Sequence, residues 1–320
     1  MGVEQYAERS IQDRVSSFSR RLAGIYNRLD PSAKLASWVI VGIILLAVFA
    51  QPIRIPGQIP VLSGQTVQPI SLTPHDPAEP NYDASLQEPS LTHPLGTDLT
   101  GRDVLSRLIL GARASLLVGV FAVGAAMIVG SALGSIAGYV GGWLDETIMR
   151  LMDVVISVPA LVLALALVGT IGASLTNIIF VIALVYTPQY ARLIRGKVLS
   201  VKENEYIEAA KNTGLSDMSI LRKHVIPNST TPVVVQATYH VATAIILEAS
   251  LSFLGLGVQP PRPSWGLMIA NGRDYLPTSW WLTTFAGLMI MITVLSFNVL
   301  GDGLRDEFDP EDETRGGSGA

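Results

Sequence analysis

The sequence predicts an all-α protein that crosses a membrane six times, and three observations support this fold class. Hydrophobic side chains make up 49% of the 320 residues and charged ones only 15%, whereas a soluble domain carries about 25% charged residues. Most apolar residues lie in six long runs, and about 20 apolar residues in a helix span the hydrocarbon core. The chain has no cysteine, which excludes disulfide frameworks and thiolate chemistry.

The six apolar runs define the predicted spans in order. The first run, 35–53, is interrupted after Ala50 by Gln51-Pro52, and Val48-Phe49-Ala50 resembles a signal-peptidase site. The 34 residues before it are longer than a signal n-region, so an uncleaved membrane anchor is predicted. The other spans are predicted at 114–138, 154–172, 176–194, 232–256 and 281–301.

Basic residues predict the orientation of these spans. If 1–34 is cytoplasmic, the inside segments hold sixteen of the 22 lysines and arginines, as the positive-inside rule requires. Both termini are therefore expected in the cytoplasm. All five tryptophans fall at span ends, where interfacial rings are favoured.

The segments outside the spans differ in character. Residues 1–34 carry an apolar stripe at helical spacing with arginines beside it, which predicts an amphipathic helix on the lipid bilayer. Residues 54–113 form a predicted extracytoplasmic, proline-rich segment with a short helix at its end. The expected organisation is completed by a five-helix core over 114–301, which contains a cytoplasmic loop at 195–231, and by a tail at 302–320.

Small residues recur every four positions in the second span. Gly130, Gly134 and Gly138 lie in register with Ala126 and Gly142, which places a smooth groove on one helix face and favours close approach of another helix. The alternative is that these glycines only make the helix flexible.

Residues for catalysis or nucleotide binding are lacking. The pair Gly196-Lys197 has neither the leading glycine nor the following hydroxyl of a phosphate-binding loop. The four histidines are scattered along the chain, so neither a metal site nor another cofactor is expected. Ser174 and His240 resemble an intramembrane serine protease pair, but Leu175 replaces a required glycine. The small net charge of −4 predicts no nucleic-acid partner.

The loop between spans four and five predicts two short helices. Residues 205–213 favour a helix that Gly214 ends in a left-handed conformation. Ser216 is placed to cap a second helix to about His224, which Pro227 is expected to end. Ala209 and Ala210, flanked by Tyr206 and Ile207, then give a shallow surface for another protein. An ordinary solvated loop is the alternative.

This loop resembles the permeases of binding-protein-dependent ABC importers. Glu208-Ala209-Ala210, then Gly214, then Ile226-Pro227 follow the family pattern of Glu-Ala-Ala, three residues, Gly, nine residues and Ile-x-Leu-Pro. His224 stands where the pattern has isoleucine, and Ile226 stands where it has leucine. The sequence around His224 resembles the variant of this pattern in peptide-importer permeases. The stretches that also agree with a C-type dipeptide or oligopeptide permease are His93 to Asp98, Gly101 to Arg107, Leu251 to Gly257, Pro263 to Gly266 and Asn298 to Asp302.

The resemblance implies a type I ABC importer permease fold in a prokaryotic cytoplasmic membrane, importing dipeptides or oligopeptides. It implies four partners: a B-type permease subunit, two ATP-binding subunits that hold ATP and Mg²⁺, and an extracytoplasmic peptide-binding protein. The chain itself would be non-catalytic. Nickel or another small solute is the alternative cargo. The residues that would couple it to the ATPases are Tyr206, Ile207, Glu208, Ala209, Ala210, Gly214, Leu215, His224 and Pro227.

Two further sets of polar residues are candidate sites. Glu248 and His240 lie within the fifth span, two turns apart and therefore, we expect, on nearly the same face. Charged groups within a span usually face protein or water, so the two are candidates for the translocation path. The alternative for Glu248 is a buried hydrogen bond between helices. Arg102, Asp103 and Arg107 form the polar side of the short outside helix and are candidate contacts for the binding protein. The alternative is an interfacial helix that only leads the chain into the second span. A secondary transporter would more often show inverted repeats and several mid-membrane charges, which this sequence lacks.

Overall fold

The computed structural model describes residues 24–50, 73–229 and 231–308, and the predicted all-α membrane fold is confirmed. No β-strand occurs in these ranges; an isolated bridge joins Thr97 and Asp103. The helices are α1 (Pro31–Phe49), α2 (Val104–Val140), α3 (Gly142–Ile156), α4 (Ala160–Ile171), α5 (Leu175–Lys202), α6 (Glu205–Asn212), α7 (Asp217–Ile220), α8 (Ile226–Ser229), α9 (Thr231–Phe253), α10 (Trp265–Gly272) and α11 (Trp281–Phe308).

Five described helices are long and apolar enough to cross a membrane, namely α1, α2, α5, α9 and α11. The span predicted at 154–172 is broken: α3 and α4 meet there at an angle of 89°, and the bent pair gives a sixth candidate span only when its two helices are taken together. Pro159 lacks a backbone N–H and disfavours helical geometry at Val158, so the helix breaks at this point. The 12 residues of α4 rise only about 18 Å, less than the hydrocarbon thickness.

Helix α2 lies at the centre and contacts α1, α3, α5 and α9. Glycines set the close approaches along the row of helices. A Cβ atom at Gly119 would lie 3.1 Å from Ile245 of α9, and one at Gly301 of α11 would lie 2.5 Å from Thr238 of α9. Gly303 brings α11 equally close to Ala33 of α1. The contacts therefore run from α5 to α2 and then to α9, α11 and α1, and α1 in turn contacts α2.

The glycine stripe of α2 faces α5. A Cβ atom at Gly130 would lie 2.5 Å from the carbonyl oxygen of Thr187, and one at Gly134 would lie 2.2 Å from that of Ala191. At Gly138 the nearest atom is the carbonyl oxygen of Arg195, at 3.0 Å. Since these neighbours are backbone atoms, the two helices can approach this closely only without side chains on α2.

Two tryptophans have a role that the sequence did not indicate. Trp265 and Trp281 are buried rather than interfacial, and their indole N–H groups donate to the carbonyls of Leu108 at 3.0 Å and Thr97 at 3.2 Å. They fasten α10 and the start of α11 to the region around the start of α2. Trp38, Trp143 and Trp280 are exposed, as expected of interfacial residues.

Helix α1 begins at a capped end. The Asp30 carboxylate accepts a hydrogen bond from the Ser32 hydroxyl and others from the backbone N–H groups of Ser32 and Ala33. These bonds, the hydroxyl first, lower the pKa of Asp30. The predicted amphipathic helix falls mainly on residues 1–23, which lie outside the described residues, as do 51–72 and the tail 309–320.

Candidate functional site

Residues 205–229 form two short helical arms joined by a turn, which we call the knuckle. Its first arm is α6, whose first turn carries Glu205 and Glu208, where carboxylates favour the helix dipole. Gly214 follows with φ of 79°, and the Leu215 N–H donates to the Ala210 carbonyl at 3.4 Å. This is the six-to-one bond of a Schellman cap. Nothing lies within 4 Å of a Cβ built on Gly214, so the backbone conformation alone requires glycine.

The second arm is longer than the sequence predicts. The Ile220 N–H donates to the Ser216 carbonyl at 3.0 Å, which starts α7 where a cap was expected. The helix then passes through a π-helical turn, Leu221–Val225, into α8. The expectation that Pro227 ends this arm is wrong, because Pro227 is the second residue of α8. Pro227 has no N–H to donate to the preceding turn, and the π-helical turn just before it is where the helix departs from regular α geometry. His224 lies in the π-helical turn.

The knuckle has an inner and an outer face. Ile207 and Ala210 are buried, although the sequence grouped them with the exposed surface. Tyr206 and Leu215 are 44% and 41% exposed, and Ala209 is exposed beside them. The shallow outer surface therefore consists of Tyr206, Glu208, Ala209 and Leu215, and the anchoring side chains are Ile207, Ala210, Ile220 and Val225.

Polar bonds connect the knuckle to the spans. The Tyr139 hydroxyl, at the end of α2, donates to Asp217 at 2.6 Å. Lys202, at the end of α5, donates to the Tyr139 carbonyl at 2.8 Å and lies over its ring. Sequence reasoning missed all three residues, which are up to 78 positions apart and carry no common motif. These bonds join the knuckle to the ends of α2 and α5.

The bent pair is also joined to α5 near the knuckle. Arg195 donates two bonds to Asp145 of α3, at 2.5 and 2.6 Å. Arg192 donates to Asp153 at 2.6 Å. The bidentate Arg195 pair fixes both position and orientation. Helix α3 is therefore joined to the half of α5 that leads into the knuckle.

Glu248 of α9 lies between helices. It is fully buried, and its carboxylate accepts hydrogen bonds from Ser115 of α2 at 3.1 Å and Ser252 at 2.7 Å. Ser264 donates to Ser252 at 3.2 Å and extends the chain of bonds. Of the two interpretations of Glu248, this geometry agrees with a hydrogen bond between helices.

His240 contacts a different neighbour. Eight residues at 3.6 per turn leave it about 80° around the helix from Glu248, so the expectation of a shared face is wrong. It is buried against Tyr186 and Tyr190 of α5, with ring centroids 4.7 and 4.9 Å away. Ser174 instead caps the start of α5, about 18 Å along that helix from Tyr186. The structure therefore does not bring the protease-like pair together.

Replacing Glu248 by glutamine tests its role. Glu248→Gln keeps one of the two oxygen acceptors, so we expect the free energy of unfolding to fall by about 1 kcal/mol. Because the bonds of Glu248 lie within the chain, we expect unchanged substrate preference. The measurements are the melting temperature in detergent and uptake with competing substrates. Ser250→Ala is the control, because the Ser250 hydroxyl bonds only within α9, to the Ile246 carbonyl. A changed substrate preference at an unaltered melting temperature would place Glu248 on the path instead.

The residues predicted to contact the binding protein bond instead to other parts of this chain. Asp103 and Arg107 are buried. Arg102 and Arg107 both bond Asp98, at 2.8 and 3.3 Å, and Arg107 donates to the Pro77 carbonyl at 3.0 Å. The short outside helix that should present them is the continuous start of α2. These residues hold segment 73–103 onto α2 and leave little surface for docking.

Two of the histidines are not scattered as the sequence suggested. His75 and His93 lie in the same segment, beside Asp103. One donor atom from each of the three lies within 4.8 Å of the others. Among the described residues, these three side chains lie close enough together to hold a metal ion.

The glycine stripe of α2, the knuckle and the helices α3 to α11 lie in the region that matches a known family. Residues 130–311 match the family described as binding-protein-dependent transport system inner membrane component. The chain belongs to this family. As a member, it is a multi-pass membrane permease component, and the matched region includes the knuckle and the helices that hold it.

Three relatives are named as transport system permease proteins, and each is matched over more than three quarters of its length. A dipeptide transport system permease protein of Alkalihalophilus pseudofirmus is 47% identical over 240 residues, which cover 75% of this chain and 79% of the relative. A probable D,D-dipeptide transport system permease protein of Escherichia coli is 43% identical over 240 residues, 75% of this chain and 80% of the relative. A glutathione transport system permease protein of Pectobacterium atrosepticum is 43% identical over 231 residues, 72% and 77%.

A solved structure shares the permease fold. An inward-facing conformation of the MetNI methionine ABC transporter aligns with a TM-score of 0.53 at 20% identity. The alignment covers 64% of this chain and 98% of that one. The fold of this permease is therefore that of an ABC importer membrane subunit.

Proposed function

We propose that this chain is a transmembrane permease subunit of an ATP-driven importer that carries short peptides across the cytoplasmic membrane. The names of the relatives support the cargo, since dipeptides, D,D-dipeptides and glutathione are all short peptides. Peptides are favoured over nickel or another small solute for this reason. The chain is non-catalytic in this proposal.

The observation that carries the proposal is the construction of the knuckle. Its inner face is anchored by buried Ile207 and Ile220 and by the Tyr139–Asp217 bond, while its outer face is small and exposed. A chain without a phosphate-binding loop must receive the free energy of ATP hydrolysis through a mechanical contact with another subunit. An anchored, small-residue surface meets this requirement.

The proposal includes four partners and an orientation. The knuckle faces the cytoplasm and contacts one of two ATP-binding subunits, and both termini lie on the same side. A B-type permease completes the pathway, and an extracytoplasmic peptide-binding protein delivers the cargo. The excess of basic residues in the inside segments supports this orientation.

Purification in mild detergent tests the proposed function. We expect the chain to copurify with ATP-binding subunits, and the reconstituted complex to hydrolyse ATP faster when peptide and its binding protein are present. A chain that transports peptide alone, without ATP, would contradict the proposal. Stimulation by nickel and not by peptide would retain the architecture and replace the cargo.

Removing one hydroxyl tests transmission from the knuckle. Tyr139→Phe breaks the bond to Asp217 and leaves the ring in place. A hydrogen bond to a charged group contributes about 1.5–3 kcal/mol, so we expect peptide uptake to fall about tenfold at an unchanged protein level. The matched control is Tyr239→Phe, which breaks an equally short 2.6 Å bond to Asp302 that joins α9 to α11 and does not involve a knuckle residue. Equal losses of uptake in both variants would mean that the Tyr139 bond has no special role.

A further inference from the structure

Three side chains with metal-binding atoms meet at the N-terminal end of α2. The Nδ1 atoms of His93 and His75 lie 3.0 and 3.8 Å from Oδ1 of Asp103. The two imidazole rings are 4.6 Å apart. Ligands around a tetrahedral Zn²⁺ at about 2.0–2.2 Å are separated by about 3.4 Å. The observed spacings are therefore close to those of a metal site and require only small side-chain movements.

We propose that His75, His93 and Asp103 bind a divalent transition-metal ion. Two imidazoles and one carboxylate are a ligand set for Zn²⁺ and also suit Ni²⁺ or Co²⁺, with a fourth position left for water. The site lies at the end of α2 opposite Tyr139, which contacts the knuckle. A structural ion here holds segment 73–103 against α2. This inference does not depend on the proposed transport function.

The carboxylate is oriented before any ion binds. Oδ2 of Asp103 accepts hydrogen bonds from the backbone N–H of Ser106 at 2.8 Å and from its hydroxyl at 2.7 Å. Oδ1 is thereby left to face the two imidazoles. The Ser106 hydroxyl also accepts a hydrogen bond from the backbone N–H of His75 at 3.1 Å. One serine thus positions two of the three ligands, as outer-shell residues of metal sites do.

Backbone bonds place His93 next to Asp103. The Val104 N–H donates to the Gly96 carbonyl at 3.0 Å, and the Gly96 N–H donates to the His93 carbonyl at 2.9 Å. The β-bridge between Thr97 and Asp103 adds a second link. Since these bonds involve no imidazole, the two ligands stay together whatever occupies the site. Little ordering is then required when an ion binds.

The charge of Asp103 is available to a cation. The guanidinium groups of Arg102 and Arg107 are both bonded to Asp98. Among the described residues, the ion-pair partners of Asp103 are the two imidazoles. The Asp103 side chain is fully buried, whereas that of His75 is 44% exposed. A metal ion can therefore enter from solvent beside His75 and reach a carboxylate that forms no ion pair with an arginine in the part of the chain that the structure describes.

Metal binding to the full-length chain tests this inference. The protein, purified in detergent with its affinity tag removed and stripped with EDTA, is dialysed against Zn²⁺, and bound metal is counted per chain. We expect one Zn²⁺ per wild-type chain. His75→Ala removes a half-exposed ligand, so it should fold normally and bind at least about 10-fold more weakly. The control is Glu79→Gln, an exposed carboxylate four residues away, which should bind like the wild type.

Two further variants separate ligation from folding. Asp103→Asn still caps α2 but loses the charge, so Zn²⁺ binding should be lost while the melting temperature in EDTA stays close to the wild-type value. Ser106→Ala should weaken binding about 10–100-fold, because it frees the carboxylate to rotate. A wild-type chain that binds no Zn²⁺, or an affinity unchanged by both His75→Ala and His93→Ala, overturns the inference.

Discussion

Ala209→Arg is expected to abolish peptide uptake while the protein inserts and accumulates normally. Ala209 lies exposed on the outer face of α6, next to Tyr206. Arginine there has room in the isolated chain, so the fold is unaffected. In the complex its long charged side chain would hold the partner subunit away or bury an unpaired charge, which costs about 3–5 kcal/mol in interfaces. Uptake by whole cells and copurification of the ATP-binding subunits measure the effect.

The control for this prediction places the same charge nearby. Asp306→Arg adds an arginine at the exposed end of α11, which lies at the knuckle end because Tyr239 at the start of α9 bonds Asp302. This variant should import peptide within about twofold of the wild type. Proline cannot adopt the positive φ of 79° found at Gly214. Gly214→Pro should therefore distort the turn of the knuckle and abolish peptide uptake as Ala209→Arg does. Normal uptake in both Ala209→Arg and Gly214→Pro would remove the coupling role.

The sequence predicts those features that depend on neighbouring residues. Runs of apolar residues locate α2, α5, α9 and α11, because a membrane helix needs length and little else. The spacing of Gly130 and Gly134 predicts a close helix contact, since every fourth residue lies on one face. Gly214 predicts the turn of the knuckle because few other residues adopt its backbone conformation.

The features that the sequence does not predict depend on pairing between distant segments. Tyr139 and Asp217 are 78 positions apart, and nothing near either residue indicates the other. Whether Glu248 faces a pathway or another helix depends on how α9 is rotated against Ser115, which hydropathy does not determine. The histidines appeared scattered because the turn that brings His93 to Asp103 is formed by backbone bonds. Such contacts follow from the assembled fold.

Gly134→Leu is expected to destroy the folded state. A Cβ atom at Gly134 would lie 2.2 Å from the carbonyl oxygen of Ala191 and 3.0 Å from its Cα atom. These are backbone atoms of α5, so no side-chain rotation relieves the overlap and the two central helices must separate. Overpacking in a well-packed interior costs about 1–3 kcal/mol when side chains can adjust, and a backbone overlap costs more. We expect aggregated protein in size-exclusion chromatography.

Gly124→Leu provides the control on the same helix. Nothing lies within 4 Å of a Cβ built on Gly124, so this face of α2 is open in the isolated chain. Leucine favours the helix over glycine by about 1 kcal/mol, and the melting temperature of the chain expressed alone should not fall. The two substitutions add the same side chain ten residues apart, so any difference between them reports the contact with α5. A Gly134→Leu chain that elutes and melts like Gly124→Leu would show that α2 and α5 do not approach through the glycine stripe.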